Sequence, residues 1–237
     1  MKKIIIVGFA VACLVALPLA AGAGTLASGF SSSTFTDNGT LPWGSHTDHG
    51  SEYYVSWDAG FSGGTLTLHS IYNTGGYKYE SGVVYGNTQV PASGYNYVTV
   101  DVYIENTYAG VRGVWPAFWL DTTKTWPPEI DIAEFKGNQG GQVWQNVCND
   151  YQQWQTISTS CGTGYVHYGL ALGPANGGNR TYQLFMNGSI HMQGTFHDSQ
   201  NSPFWVIANL AMEGSSGSPG PTYNTWVSMD NYVLATH

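Results

Sequence analysis

The sequence predicts an all-β fold, a sandwich of two antiparallel sheets, and three observations carry this. Apolar and β-branched residues alternate or run in short blocks of roughly four to eight, separated by Gly, Asn, Pro and Ser clusters. No stretch has convincing helical periodicity. Charged residues make up only 9% of the chain, while Gly, Tyr, Trp, Thr and Asn are abundant, the composition of an exported β-sandwich.

The elements follow in order. Lys2 and Lys3 precede an apolar run from Ile4 to Leu19, and Ala21-Gly22-Ala23 suits cleavage of a signal peptide. The run is short for a membrane span and Pro18 interrupts it, an uncleaved anchor being the alternative. Residues 1–23 are therefore expected to leave on export, to an extracellular or periplasmic location. The remaining 237 − 23 = 214 residues form one expected domain, 24–237. Thr25 to Asn38, rich in Ser, Thr and Gly, reads as a loosely held lead-in. Tyr53 to Trp57 and Gly64 to His69 read as strands around a Phe61-Ser62-Gly63-Gly64 turn, and Gly82 to Tyr85 as another. Tyr97 to Glu105 alternates, with Val98, Val100, Val102 and Ile104 on one face and Thr99, Asp101 and Tyr103 on the other. Val114 to Leu120 leads through Asp121 to Pro128 into an acidic strand. Val143 to Cys148, Tyr165 to Leu172 and a hairpin turning at Asn187-Gly188 come next. Phe204 to Ala211 and Trp226 to Ala235 close the domain.

Charge narrows the function. Without Lys2 and Lys3 the chain keeps 7 − 2 = 5 basic residues against 15 acidic ones. That balance argues against nucleic acid, against anionic membrane surfaces after signal cleavage, and against sulfated or uronic polymers. A neutral polysaccharide fits as the partner, and a monomer is expected.

The chemistry gathers in Glu129-Ile130-Asp131-Ile132-Ala133-Glu134. In a strand Glu129 and Asp131 share a face, whereas Glu134, five positions after Glu129, falls on the other. One β-bulge near Ile132 or Ala133 restores the parity and puts all three acids on one face. Paired carboxylates suit glycosidic bond hydrolysis, one attacking or activating and one protonating the leaving oxygen. Mutual repulsion raises at least one pKa and keeps a proton available. An acidic cation site is the alternative. Trp115-Pro116-Ala117-Phe118-Trp119-Leu120 and Trp126-Pro127-Pro128 stand just upstream and favour carbohydrate, because indole faces stack on sugar C–H faces. Trp115 and Trp119, four apart, share a strand face, as platforms or as core. Trp126 is expected on a loop at the cleft edge.

These segments, W-P-A-F-W-L followed by W-P-P-E-I-D-I-A-E, resemble family 16 of the glycoside hydrolases in its bulged, laminarinase-like branch. The resemblance continues more loosely through Glu80-Ser81-Gly82, His167-Tyr168-Gly169-Leu170, Tyr182 to Gly188 and Phe204 to Ala211. It implies a concanavalin-like β-jelly-roll with a concave substrate cleft and a retaining mechanism. It implies Glu129 as nucleophile, Glu134 as acid/base and Asp131 as the supporting carboxylate, with Ala133 as the bulge residue. Val83 stands where many laminarinases have arginine and Cys148 about where they have histidine, and both departures bear against laminarin as substrate. His167 is a candidate for the cleft, a structural histidine being the alternative. Asn209, polar within an apolar strand, is a candidate for the catalytic face. Cys148 and Cys161 are expected to form a disulfide after export, two buried thiols being the alternative. No cofactor is expected. The resemblance does imply a structural calcium position at Asp230, for which no N-terminal acidic partner is evident.

The function expected is a secreted, retaining endo-β-glucanase acting on internal β-1,3 or mixed β-1,3/1,4 bonds. The alternatives are another specificity of the family, such as agarase or transglycosylase, and a non-catalytic carbohydrate-binding protein. Glu129 and Glu134, both intact, count against the last.

Overall fold

The computed structural model describes residues 24–237, so the segment read as a signal peptide lies outside it. The chain forms β1 (Gly24–Ser28), β2 (Phe35–Thr36), β3 (Glu52–Tyr54), β4 (Ala59–Ser62), β5 (Thr65–Tyr72) and β6 (Tyr79–Ser81). There follow β7 (Val83–Gly86), β8 (Asn96–Tyr103), β9 (Val114–Thr122), β10 (Glu129–Glu134), β11 (Gln142–Cys148) and β12 (Trp154–Ser160). The last are β13 (Tyr165–Leu172), β14 (Asn179–Met186), β15 (Ser189–His197), β16 (Phe204–Met212) and β17 (Thr225–Thr236). Helix is confined to three short 3₁₀ turns among the described residues.

The strands make the two sheets of a jelly-roll sandwich. A ten-stranded sheet runs β15-β14-β13-β8-β17-β5-β6-β3, with β1 added on β17 and β4 on β5. A seven-stranded sheet runs β12-β11-β10-β9-β16-β7-β2. Alternation decides what each strand buries. On β8, Val98, Val100 and Val102 are buried while Thr99, Asp101 and Tyr103 are only partly so, as the pattern predicts. Phe118, Leu120, Ile130, Val147, Val206 and Leu210 from the seven-stranded sheet join the same core as these valines. The chain changes sheet between β6 and β7 at one residue, Gly82. A Cβ there would stand 2.4 Å from the Asp58 carbonyl oxygen, so only glycine fits.

Three expectations are corrected. The lead-in is not loose: β1 pairs with β17, and Phe30 and Phe35 are 1% exposed and stack at 4.9 Å, both against Tyr232. Apolar contact with the core outweighs the loop-like composition around them. Residues 154–160, which the expected Cys148–Cys161 disulfide would have enclosed in a short loop, form edge strand β12. The disulfide is absent, and Cys148 and Cys161 are separate buried thiols. Cys148 pairs with Trp154 at one end of the β11–β12 hairpin, while the Cys161 N–H donates to Gly141 at the other. A seven-residue strand separates them, about 20 Å, far beyond the roughly 7 Å that a disulfide spans.

Asp230 lies on the ten-stranded sheet, where it accepts from the Thr65 hydroxyl and the Asn231 N–H. Among the described residues no group of three or more His, Cys, Asp or Glu side chains is placed to hold a metal. Among the same residues no helix is long and apolar enough to cross a membrane.

Candidate active site

The acidic strand β10 carries the predicted bulge. Asp131 pairs with Trp119 but Ala133 with Phe118, so β10 holds one more residue than β9 over this step. Against β11, Asp131 pairs with Asn146 and Glu134 with Trp144, the same one-residue excess. Ile132 and Ala133 both turn into the core, and Glu129, Asp131 and Glu134 all line the opposite face.

That face floors a cleft of about 1040 Å³. The strand registers arrange its side chains in rows across the sheet. One row reads Trp205, Asp121, Glu129, Cys148, Trp154 from β16 to β12. The next reads Ile207, Trp119, Asp131, Asn146, Thr156, and the third Asn209, Ala117, Glu134, Trp144, Ser158. Five strands at ~4.8 Å spacing span about 19 Å, room for several sugar units. Of the nine tryptophans in the chain, Trp43, Trp115, Trp119, Trp126, Trp144, Trp154 and Trp205 line this one cleft. Such a concentration of indole suits sugar rings rather than a bare cation.

Hydrogen bonds fix the carboxylates. The Trp126 indole N–H donates to Glu129 Oε2 at 2.6 Å and the Trp115 indole N–H to Glu134 Oε1 at 2.7 Å. Asn146 Nδ2 donates to Asp131 Oδ2 at 2.7 Å and to Glu134 Oε2 at 2.8 Å. Lys136 Nζ lies 3.2 Å from Glu134 Oε2 and over the Trp144 ring. Asn209 accepts from the Trp119 indole and donates to the Tyr54 hydroxyl, which sets the Trp119 ring.

Burial dominates the electrostatics. It pushes Glu129 up to about 8, with the Trp126 hydrogen bond opposing and Asp121, Asp48 and Glu134 adding repulsion. Burial, then Glu129 and Glu134, holds Asp131 well above the ordinary carboxylate range, and Asn146 and Lys136 oppose it. Glu129 and Asp131 both stand above the ordinary carboxylate range, so the cluster keeps a proton at neutral pH. Beside Glu129, burial followed by the Glu129 and Asp131 charges pushes the Cys148 thiol up to about 12, which leaves it neutral. A hydrogen bond to Asp48 raises His49 at the cleft rim, burial opposing.

Trp115, Trp119, Trp126 and Asn209 line the same cleft as the three acids. His167 does not. It sits on β13 in the ten-stranded sheet, at a position alternating with buried Val166 and Tyr168, so it faces away from the core. Its Nδ1 lies 2.6 Å from Asp101 Oδ1, a local pair on the far sheet. Asp48, Asp121, Lys136, Asn146, Trp144, Trp154 and Trp205 also line the cleft, although sequence reasoning did not single them out. Asp121 was legible in principle, in phase with Trp115 and Trp119 on one strand.

Residues 49–153 match the model of the Glycosyl hydrolases family 16. A galactan endo-beta-1,3-galactanase of Flammulina velutipes is 29% identical over 219 residues, 84% of each chain. An endo-1,3-1,4-beta-glycanase of Rhizobium meliloti (strain 1021) is 27% identical over 150 residues, 61% of this chain and 30% of that protein. The crystal structure of an endo-1,3-beta-glucanase from Streptomyces sioyaensis superposes with a TM-score of 0.68 at 18% identity, covering 91% of this chain and 97% of that one.

Proposed function

We propose that the chain is a glycosyl hydrolase of family 16, whose model residues 49–153 match, and that its cleft hydrolyses internal bonds of a neutral β-1,3-linked glucan, or of a mixed β-1,3/1,4 glucan, with retention. One observation carries this: Glu129 and Glu134 stand on one face of a bulged strand in an aromatic cleft, each held by an indole N–H. Glu129 is the nucleophile. Trp126 occupies Oε2, which leaves Oε1 to attack the anomeric carbon. Glu134 gives its proton to the glycosidic oxygen as that bond breaks, and a glycosyl-enzyme ester forms on Glu129. Glu134, now anionic, takes a proton from water, whose oxygen attacks the same carbon and releases Glu129. Lys136, Trp115 and Asn146 surround Glu134 with donors suited to that anionic stage. Asp131, which shares the Asn146 amide with Glu134, keeps a proton and spares Glu129 a second full charge beside it.

A second reading of the substrate has its own support. The relative that matches over 84% of both chains is by name a β-1,3-galactanase, and Val83 and Cys148 depart from the laminarinase pattern. A β-1,3-galactan differs from a glucan only at one hydroxyl per unit, and the catalytic groups serve both. Export belongs to the proposal, since residues 1–23 carry a cleavable signal pattern and the polymer is met outside the cell. The test follows viscosity on laminarin, mixed-linkage glucan and β-1,3-galactan, and reads the first anomer by NMR. Rapid viscosity loss on a glucan with the β-anomer first is expected. Activity on galactan alone moves the substrate to the second reading, and an α-anomer first removes the retaining mechanism.

A further inference from the structure

Asp121 is out of place in the wall it occupies. It continues the cleft-facing phase of Trp115, Ala117 and Trp119 on β9, with Trp205 on one side and Glu129 on the other. It is 5% exposed, and its Oδ1 is shut off from water with no hydrogen-bond partner. The charges acting around it are carboxylates: Asp48 repels it, and it in turn repels Glu129. Burial pushes it up to about 7, opposed by the Thr122 N–H and assisted by Asp48. An orphaned buried carboxyl costs the free protein stability, and an apolar side chain between Trp119 and Trp205 would not. A costly group retained in the lining of a cleft marks something that the cleft binds.

The chemistry of the missing partner follows. A neutral sugar chain brings hydroxyl donors and no cations. In a 3-linked hexose the free hydroxyls are those on C2, C4 and C6, and glucose and galactose differ only in the direction of the one on C4. Indole faces stack on the C–H face of either sugar and discriminate weakly, whereas a fixed acceptor discriminates by direction. We infer that Asp121 binds the substrate and sets its specificity, its carboxyl turning in the cleft wall so that the orphaned oxygen accepts the C4 hydroxyl of the sugar unit over β9. The inference rests on the cleft being a β-1,3-glycan hydrolase site. It adds the residue that chooses between the gluco and galacto series.

The test compares wild type, Asp121→Leu and Asp121→Asn on matched β-1,3-gluco- and β-1,3-galacto-oligosaccharides, with thermal unfolding of each. On the preferred series kcat/KM should fall roughly 100-fold for Asp121→Leu and at least about tenfold for Asp121→Asn. The gluco-to-galacto ratio should move about tenfold or more toward one, while Tm stays the same or rises. A residue that merely supports the fold would lose Tm and lower both substrates alike, and that result overturns the inference, as does an unchanged ratio. If Asp121→Leu does not fold, the decision falls to Asp121→Asn. A wild type that cleaves neither series refutes the proposed function and this inference with it. A wild type that cleaves one, beside an Asp121→Asn of unaltered rate and ratio, refutes the inference alone.

Discussion

Replacing Trp126 with phenylalanine separates two roles of one side chain. The ring face, the proposed platform for sugar, is kept in large part, while the indole N–H that donates to Glu129 Oε2 at 2.6 Å is lost. That bond opposes the burial that already pushes Glu129 up to about 8. A hydrogen bond to a charged group contributes roughly 1.5–3 kcal/mol. Trp126 is 46% exposed, so the lower end applies, and about 1.4 kcal/mol corresponds to one pKa unit. Without the donor, Glu129 ionises at higher pH. The acid limb of kcat/KM on a soluble β-1,3-glycan should therefore move about one unit toward alkaline pH, with about a tenfold loss on that limb. KM at the pH optimum should change little. An unmoved acid limb together with a raised KM would refute the reasoning, leaving Trp126 as a platform only.

Arg180 is fully buried, donates to the carbonyls of Gly173, Ser202 and Pro91, and lies 3.9 Å from Asp198. Arg180→Ala should destabilise the fold by about 3–5 kcal/mol in denaturant titration, because a buried acid loses its cation and three carbonyls lose the guanidinium, only that of Pro91 keeping a second donor in Asn96. Stability should also fall as pH rises from about 5 to 8. Burial raises Glu52 to about 7 and Glu129 to about 8, so over this window the unfolded chain has ionised them while the folded one has not. Glu52 alone accounts for about 3 kcal/mol of that loss at full ionisation, and a higher Tm at pH 8 than at pH 5 would contradict it. Glu213 acts in the opposite sense, lowered to about 2 chiefly by Lys78 and Ser51 against burial, so its contribution is lost only in acid. Finally, unreduced protein cleaved near Gly24 and then unfolded should titrate two thiols, Cys148 and Cys161; none would contradict the hairpin geometry.

The acidic face was legible because parity is a local property. Glu129 and Glu134 are an odd number of positions apart, so a shared face required one extra residue, and the bulge supplies it. Phase along one strand likewise placed Trp115 and Trp119 together. What failed was information that crosses between strands. Tyr165 to Leu172 reads correctly as a strand, but nothing local says which sheet receives it, and His167 went to the far one. The spacing of Cys148 and Cys161 suited a disulfide loop until Trp154–Ser160 extended as β12 and carried the sulfurs apart. Phe30 and Phe35 were hidden by the Ser and Thr around them, since their burial depends on Tyr232 some two hundred positions later. Asn146 pairs with Asp131 only through the β10–β11 register.

The central claim is that Glu129 forms a covalent bond to the sugar. A 2-deoxy-2-fluoro β-glycoside with an activated leaving group slows release of that intermediate more than its formation. Incubation with wild type, digestion and mass spectrometry should find one sugar per chain on the peptide containing Glu129, and Glu129→Gln should take none. A label on Asp121, Asp131 or Glu134 instead, or none on an enzyme whose first product is the α-anomer, would contradict the account.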